Sequence, residues 1–284
     1  CYAQWDNERL HLCFSGQGVW VHKRFASEIL GLQVEQIRVT NPDVGGGFGM
    51  KAMGYPEEFV VSFAAIQLKQ PVRWMSERTE AMLSDNAGRD LQHFAELAFD
   101  ANKKIVGYRV NTFCNLGAYN SRFGQNIQTG LFSKVLMGVY DVQNTYLNVL
   151  GIYTNTTQVD AYRGAGRPEA IYLLERMMDR AARELNIDPL ELRRINFIKK
   201  ENFPYRSSTG ETIDVGDFDR VLTAAEISAN IKGFEQRKKE SEAKGRLRGL
   251  GLCYYIESIL GDPSEEAKVV FEEDGGVKIF VGTQ

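Results

Sequence analysis

Residues 41–51, with the sequence NPDVGGGFGMK, constrain the fold more than any other stretch, because they place four glycines within five residues. Glycine reaches positive φ at little cost, and its missing Cβ lets another group approach the backbone closely. A strand-like segment at 36–40 precedes the run. A helix is predicted from Pro56, where a proline followed by acidic residues marks a helix start. Strand, glycine turn and helix in this order can direct backbone N–H groups at an anion.

The glycine run does not match the two common phosphate-binding loops. A Walker A loop needs Gly-Lys-Ser/Thr, whereas Met50, Lys51 and Ala52 stand here. A dinucleotide fingerprint that starts at Gly45 fails, because its last position is Met50. From the local pattern alone, a tight turn without a ligand and a ligand-binding loop are equally good interpretations.

A second stretch, residues 161–170 with the sequence AYRGAGRPEA, combines an arginine with a glycine turn. Arg163 precedes Gly-Ala-Gly, and Pro168 is predicted in the first positions of the following helix. The helix dipole and the guanidinium would then point into one small region, which suits an oxyanion or a phosphate. For the arginine considered alone, an ion pair with a nearby carboxylate is the simpler interpretation.

Together the two stretches resemble the active-site loops of the molybdenum hydroxylases, the family of xanthine dehydrogenase, aldehyde oxidase and aerobic carbon monoxide dehydrogenase. The resemblance extends over nearly all 284 residues and is greatest to carbon monoxide dehydrogenase large-subunit homologues. It implies that Phe48 and Gly49 lie against a molybdenum ion held by a pterin, and that Arg163 is catalytic. The cofactor-binding residues that it implies are Gly46, Gly47, Phe48, Gly49, Arg163 and Gly164.

The family resemblance also implies the cofactor and the partners. The cofactor would be a molybdenum-pterin, as molybdopterin cytosine dinucleotide, without any side-chain ligand to the metal. Iron–sulfur and FAD subunits or domains would accept the electrons from a small-molecule substrate, within an oligomer of the full enzyme. The compartment would be the cytoplasm, or the periplasm if the full-length chain carries a signal.

We interpret the chain as a piece of a longer polypeptide, since it begins without Met and stops after a predicted strand that leads into Gly282, Thr283 and Gln284. In the resembled family the base glutamate would follow Gln284, and a glutamine near the metal would precede Cys1. We therefore expect these 284 residues by themselves to be inactive and to hold no cofactor.

Two departures from the family pattern bear on the substrate. Carbon monoxide dehydrogenases have a cysteine after the loop arginine, where this chain has Gly164. Xanthine dehydrogenases have a glutamate after the loop lysine, where Ala52 stands here. The resemblance therefore favours oxidation of an aldehyde or an N-heterocycle with water as the oxygen source. The alternatives are a carbon monoxide dehydrogenase-like subunit and a non-catalytic binding domain without cofactor.

Composition excludes other classes of protein. With 25% charged residues, 43% apolar residues and a net charge of −3, the chain is typical of a globular protein and has no general attraction to nucleic acid. No apolar run approaches the roughly 20 residues that a membrane span needs. The cysteines, which we expect to be buried and reduced, form no CxxC pair, so no zinc or iron–sulfur site is indicated. They are Cys1, Cys13, Cys114 and Cys253.

The hydrophobic patterns mix helices with antiparallel hairpins, so the predicted class is α+β, with mixed sheets packed against helices. We expect a first part at 1–160 that carries the glycine loop and a second part at 161–284 that carries the arginine loop. The predicted helices are 19–30, 56–68, 77–83, 168–185, one from 189, 217–229 and 232–244. The predicted strands are 8–14, 36–40, 71–75, 92–99, 105–113, 144–154, 249–256, 269–271 and 277–281.

Three local features carry further expectations. In the helix at 56–68, the spacing predicts a core-facing stripe, whose members are Phe59, Val60, Phe63, Ala64 and Leu68. Residues 116–140 read as a long irregular segment, which by resemblance lines the substrate passage; an ordinary surface loop is the alternative. Gln17 follows the first predicted strand, and a polar turn residue or a ligand contact would equally explain it.

Overall fold

The computed structural model describes residues 1–258 and 266–281 and has the predicted α+β class. Its α-helices are α1 Val19–Leu30, α2 Pro56–Leu68, α3 Arg78–Ser84, α4 Gly124–Asn126, α5 Arg167–Glu184, α6 Pro189–Asn196, α7 Phe218–Ser228 and α8 Phe234–Glu242. Its strands are β1 Tyr2–Asp6, β2 Arg9–Cys13, β3 Ile37–Thr40, β4 Val72–Arg73, β5 Leu91–Phe99, β6 Ile105–Gly117, β7 Thr145–Tyr153, β8 Tyr205–Arg206, β9 Thr212–Ile213, β10 Lys268–Phe271 and β11 Val277–Phe280.

The first sheet has the strand order β3-β2-β1-β4, with β2 parallel to β3 and the other pairs antiparallel. Helices α1 and α2 pack against it and close a small apolar core. Gly31 ends α1 in the left-handed conformation, as predicted, because a residue without Cβ takes φ +69° freely. This sheet carries the glycine loop, which leaves it after β3.

Helix α2 buries only part of the stripe that its spacing predicts: Phe59 packs against the core and Ala64 is half-buried. Val60, Phe63 and Leu68 are exposed, whereas Glu58 is buried along with Val61, Ser62 and Ala65. The Glu58 carboxylate lies 2.8 Å from Nδ1 of the buried His22 on α1. This buried polar pair sets the rotation of α2 about its own axis, since a buried carboxylate has to face its partner. The small side chains beside the pair are buried with it.

The second sheet, β5-β6-β7, is antiparallel between β5 and β6 and parallel between β6 and β7. It belongs to a larger core with α5 and α6. Asp188 starts α6 as predicted, because its carboxylate accepts hydrogen bonds from the amides of Leu190 and Glu191. Met178 of α5 is fully buried in this core, where it serves as a packing residue.

Residues 116–140 are partly core and partly surface, since residues 118–120 are exposed, whereas most residues from 131 to 140 are buried. Strand β6 continues to Gly117, and α4 leads into a π-helical stretch at Ile127–Leu131. The side chains of Phe132, Leu136 and Tyr140 are almost completely buried. The segment lacks the periodicity of a regular helix, because it consists of short helical pieces and turns.

The strand predicted at 249–256 is wrong. Its alternation survives, since Leu252, Tyr254 and Ile256 pack on the core, but these residues have no strand partner in the described part of the chain. The Tyr254 amide instead donates to the carboxylate of Glu175, 2.8 Å away. Cys253, on the outward face, is exposed, and Cys1 and Cys13 are half-buried, so the expected burial holds only for Cys114; all four cysteines are free.

No helix in the described ranges is long and apolar enough to cross a membrane. One core cluster is built on the first sheet and the other on the second, and the division of the chain at residue 160 stays a prediction. The Gly-Thr-Gln at 282–284 lies outside the described residues.

Candidate functional site

The glycine run forms the predicted turn between β3 and α2. Gly46 and Gly49 both have φ +95°, and Phe48 between them has φ +54°, a left-handed conformation that few aromatic residues adopt. The Phe48 ring is 55% exposed. A strained residue that presents a large apolar ring to open space points to a functional role for the ring.

Two polar side chains stabilise this loop. The Gly49 amide donates to Oε1 of Gln17 at 2.8 Å, and a Cβ on Gly47 would lie only 2.3 Å from the same oxygen. Lys51 Nζ donates to Ser15 Oγ at 2.7 Å and to the Val44 carbonyl. Gln17 and Lys51 therefore hold the loop, and the ammonium group of Lys51 is directed at Ser15 and the Val44 carbonyl.

The base of the loop has further supports. The Tyr55 hydroxyl donates to the Met50 carbonyl at 3.2 Å; burial, with Asp85 nearby, raises the pKa of Tyr55 to about 12. Arg122 donates to the Ala52 carbonyl, and burial, followed by the charge of Arg24, lowers its pKa. Tyr55 therefore stays protonated near neutral pH, and both side chains donate hydrogen bonds that hold the base of the loop.

The arginine loop approaches the glycine loop closely. A Cβ on Gly49 would lie 2.7 Å from the carbonyl oxygen of Ala161, which is closer than real Cβ contacts come. Gly164, Ala165 and Gly166 follow with φ values of +98°, +41° and +87°. A Cβ on Gly166 would lie 2.2 Å from the Ile127 carbonyl, so this turn requires glycine. Helix α5 then starts one residue before the predicted Pro168.

The guanidinium of Arg163 faces Phe48, with Cζ 5.5 Å from the ring centroid. Arg163 is exposed, and within residues 1–258 and 266–281 no carboxylate lies within ion-pair distance of it. The structural ion pair that was the simpler interpretation of this arginine is therefore absent from the described part of the chain. A free cation beside an exposed ring and a helix start can receive an anion or a polarised oxygen.

The structure brings together Phe48, Gly49 and Arg163, with Gly164 in the turn behind them. Gly46 and Gly47 lie on the other side of Phe48, where a Cβ on Gly46 would be 2.7 Å from the ring. The roles of these residues in binding and catalysis stay predictions.

A cavity of about 450 Å³ lies next to the glycine loop. Its lining includes Phe25, Ile29, Met53, Phe59, Arg122 and Gln158. The part of segment 116–140 that borders this cavity is residues 120–122. The role of this segment as a substrate passage stays a prediction.

The residues present fit a cofactor held by shape and charge. Glycines without Cβ leave room for close backbone approach, and Arg163 offers a cation that pairs with no carboxylate among the described residues. No group of three or more His, Cys, Asp or Glu side chains in the described ranges could hold a metal by itself. A site of this kind suits an anionic cofactor that carries its own metal ligands.

The fold and these loops define a cofactor-binding domain, and comparison with known proteins gives its family. The model of the molybdopterin cofactor-binding domain matches residues 1–197. The chain therefore belongs to the molybdopterin cofactor-binding domain family of the molybdenum hydroxylases.

The relatives include enzymes of several specificities. The chain is 33% identical to the carbon monoxide dehydrogenase large chain of Hydrogenophaga pseudoflava, over 95% of this chain and 34% of that one. It is 30% identical to the nicotine 6-hydroxylase large subunit of Paenarthrobacter nicotinovorans, over 99% and 34%. The chain thus spans about a third of the length of these curated relatives.

Solved structures agree with the family. Quinoline 2-oxidoreductase from Pseudomonas putida 86 superposes with a TM-score of 0.87 and 28% identity, over 99% of this chain and 38% of that chain. CO dehydrogenase from Oligotropha carboxidovorans superposes with a TM-score of 0.77 and 30% identity, over 86% and 31%. The mixed sheets and helices are therefore those of a molybdopterin-binding domain.

Sequence reasoning missed one residue of the site. Arg89 contacts both Tyr162 and the carbonyl of Arg163, although no sequence motif marks it. No local signal could have found it, since a single arginine in a loop is ordinary, and its partner lies 74 positions away.

Proposed function

We propose that the full-length protein is a molybdenum-dependent hydroxylase that oxidises an aldehyde or an N-heterocycle, with water as the source of oxygen. The observation that carries the proposal is the guanidinium of Arg163 beside the exposed ring of Phe48, without an ion-pair partner among the described residues. The names of two relatives, nicotine 6-hydroxylase and quinoline 2-oxidoreductase, support an N-heterocyclic substrate.

The cofactor would be a molybdenum-pterin in its cytosine dinucleotide form. When bound, it supplies the two-electron oxidation of the substrate carbon. Gly46, Gly47 and Gly49 would leave room for it at the backbone, and the Phe48 ring would exclude water from one side of the reacting centre.

Arg163 would act through its charge. A guanidinium directed at the reacting centre stabilises negative charge that develops on the substrate oxygen or nitrogen in the transition state. Because nothing in the described part of the chain neutralises Arg163, its full charge is available there.

Electrons would leave through iron–sulfur and FAD subunits or domains. Several relatives are named as one subunit of a larger complex, including a dehydrogenase complex subunit gamma. Each turnover yields two electrons, and the chain has no cysteine spacing for a cluster of its own.

Oxidation of carbon monoxide is the second candidate, because a carbon monoxide dehydrogenase large chain is among the relatives with at least 30% identity. Gly164 argues against it, since this residue has no thiol at the position where the resembled enzymes carry a cysteine. A substrate screen with aldehydes, N-heterocycles and carbon monoxide distinguishes the two.

The test is Arg163→Ala in the full-length protein, with activity expressed per bound molybdenum. We expect a loss of about 10²–10³ in turnover with the molybdenum content retained, which is typical when one charge-stabilising donor is removed. Arg163→Lys should recover only part of the loss, because an ammonium lacks the planar fork.

The matched control is Arg109→Ala. Arg109 is an exposed arginine on β6 that pairs with Glu96, so its removal should leave turnover unchanged. Normal activity per molybdenum in Arg163→Ala, with lowered stability and cofactor content, would mean that Arg163 is only structural.

A further inference from the structure

The position of Arg163 depends on its backbone. Its guanidinium makes no hydrogen bond or ion pair with the described residues, and it faces the Phe48 ring, with Cζ 5.5 Å from the ring centroid. A long side chain without polar partners samples several rotamers. The backbone position of Arg163 then sets the region that its guanidinium can reach. Three residues with positive φ follow it, in a turn that is closed by hydrogen bonds from the amides of Ala165 and Arg167 and from the Arg167 guanidinium.

Arg89 makes three contacts around this turn. Its Cζ lies 4.5 Å from the centroid of the Tyr162 ring, and its Nη2 donates to the carbonyl oxygen of Arg163. Its Nε lies 3.5 Å from Oε1 of Glu169 in the first turn of α5. One guanidinium thus connects the residue before Arg163, the backbone of Arg163 and the helix after it.

The segment that carries Arg89 is fixed against the arginine loop. The Ala87 amide donates to the Gln158 carbonyl at 3.0 Å, and the Asp160 amide donates to the Ala87 carbonyl at 2.9 Å. A Cβ on Gly88 would lie 2.6 Å from the Cβ of Tyr162, so a larger residue would push the two segments apart. Arg89 itself has φ +56°, a conformation that persists only where surrounding contacts impose it.

Glu169 holds the Arg89 guanidinium from the side of helix α5. Its side chain is only 5% exposed, and its Oε2 is buried without a hydrogen-bond partner in the described part of the chain. A buried carboxylate needs a counter-charge, and the Arg89 guanidinium supplies it, with Nε 3.5 Å from Oε1 of Glu169. The pair therefore has an energetic reason to stay closed, and closing it keeps Arg89 on the Arg163 carbonyl.

We propose that Arg89 is a positioning residue for the proposed reaction, which holds the backbone of Arg163 and thereby aims its guanidinium past Phe48. This inference rests on the proposed role of Arg163. Arg89 would touch neither substrate nor cofactor, because its guanidinium contacts Glu169, Tyr162 and the Arg163 carbonyl.

The test uses the full-length protein with Arg89→Ala, Arg89→Lys and the control Arg109→Ala. The first readout is amide hydrogen exchange in residues 161–167, where Ala165 and Arg167 donate the hydrogen bonds of the turn. We expect Arg89→Ala to accelerate their exchange about tenfold or more, because a hydrogen bond from a charged donor is lost. Arg109→Ala should not change it.

The second readout is turnover per bound molybdenum in a double-mutant cycle with Arg163→Ala. Arg89→Ala should lower kcat about tenfold or more with little change in KM, and Arg89→Lys should recover part of kcat. In the Arg163→Ala background, Arg89→Ala should add no further loss, because it acts through Arg163.

Wild-type exchange and wild-type kcat in Arg89→Ala would overturn the inference, and so would losses that multiply independently in the cycle. If Arg89→Ala does not fold, Arg89→Lys gives the same comparison, since it keeps the charge and loses the stacked fork. If the wild-type protein holds no molybdenum, the proposed function fails, while the exchange result still decides whether Arg89 holds the loop.

Discussion

The close approach of the two loops can be tested at Gly49. A Cβ at this position would lie 2.7 Å from the Ala161 carbonyl oxygen and 2.8 Å from the carbon of the same carbonyl. Both are backbone atoms, so no rotamer change can relieve the contact. In Gly49→Ala the glycine loop and the arginine loop must therefore separate by about half an ångström or more.

The free-energy cost has two parts. An alanine at φ +95° costs about 1–2 kcal/mol of backbone strain. Overpacking against a rigid backbone adds about 1–3 kcal/mol. The total destabilisation is about 2–5 kcal/mol, and the shift moves Phe48 relative to Arg163. Since a misplacement of about 1 Å can cost 10²-fold in rate, we expect turnover per molybdenum to fall at least tenfold.

Gly18→Ala is the matched control, because Gly18 has φ +92° and a Cβ added to it would meet no atom within 4 Å. It carries the strain without the contact, and thus should lower stability by only about 1–2 kcal/mol. Calorimetry and activity per molybdenum on both variants of the full-length protein separate the two costs. Equal effects of the two substitutions on stability and turnover would refute the close approach of the loops.

Two further predictions concern stability. Arg193→Met should destabilise the second core by about 3–5 kcal/mol in thermal unfolding, because it leaves the carboxylates of Glu175 and Asp179 near the core without their cation; a cost below that of an exposed ion pair would contradict it. Asp85→Asn should raise the melting temperature at pH 7. Burial, followed by the charge of Glu57, raises the pKa of Asp85 in the folded state above its ordinary value of 3.8. The contribution of Asp85 to the free energy of unfolding is therefore present below pH 3.8 and is lost as the pH rises through the pKa of the folded state. The difference between variant and wild type should vanish in scans below pH 3.8, and a constant difference would exclude this cause.

Much of the local structure follows from the sequence, where one residue type alone suits a conformation. Gly31 ends α1, and Asp188 with Pro189 starts α6, because the cap and the turn depend on these side chains. The glycine loop likewise forms between β3 and α2. The left-handed φ of Phe48 was not predictable, because nothing in an aromatic side chain favours it.

Long-range contacts explain the errors. The apolar residues of α2 surround the whole helix, so spacing could not give its buried face, which the pair of Glu58 and His22 decides from another element. The alternation at 249–256 predicted a strand, but the Tyr254 amide found the Glu175 carboxylate instead of a neighbouring strand. In both cases a buried carboxylate from a distant part of the chain supplies a partner that the local pattern does not show.

The candidate site was predictable only in part. The two loops were found by resemblance, and the structure brings Phe48 and Arg163 to each other. The absence of an ion-pair partner for Arg163 in the described residues could not be read from the sequence, which is rich in carboxylates. The contact from Arg89 depends on the fold as a whole, since it joins the α3–β5 connection to the start of α5.

The central claim is that this domain binds a molybdenum-pterin in the full-length protein. The direct measurement is molybdenum per chain by elemental analysis, together with pterin released on denaturation, after expression in a molybdenum-competent host. The account predicts about one molybdenum and one pterin per chain, the stoichiometry of a single site. Full-length folded protein without either would contradict it and would leave a binding domain that has no cofactor.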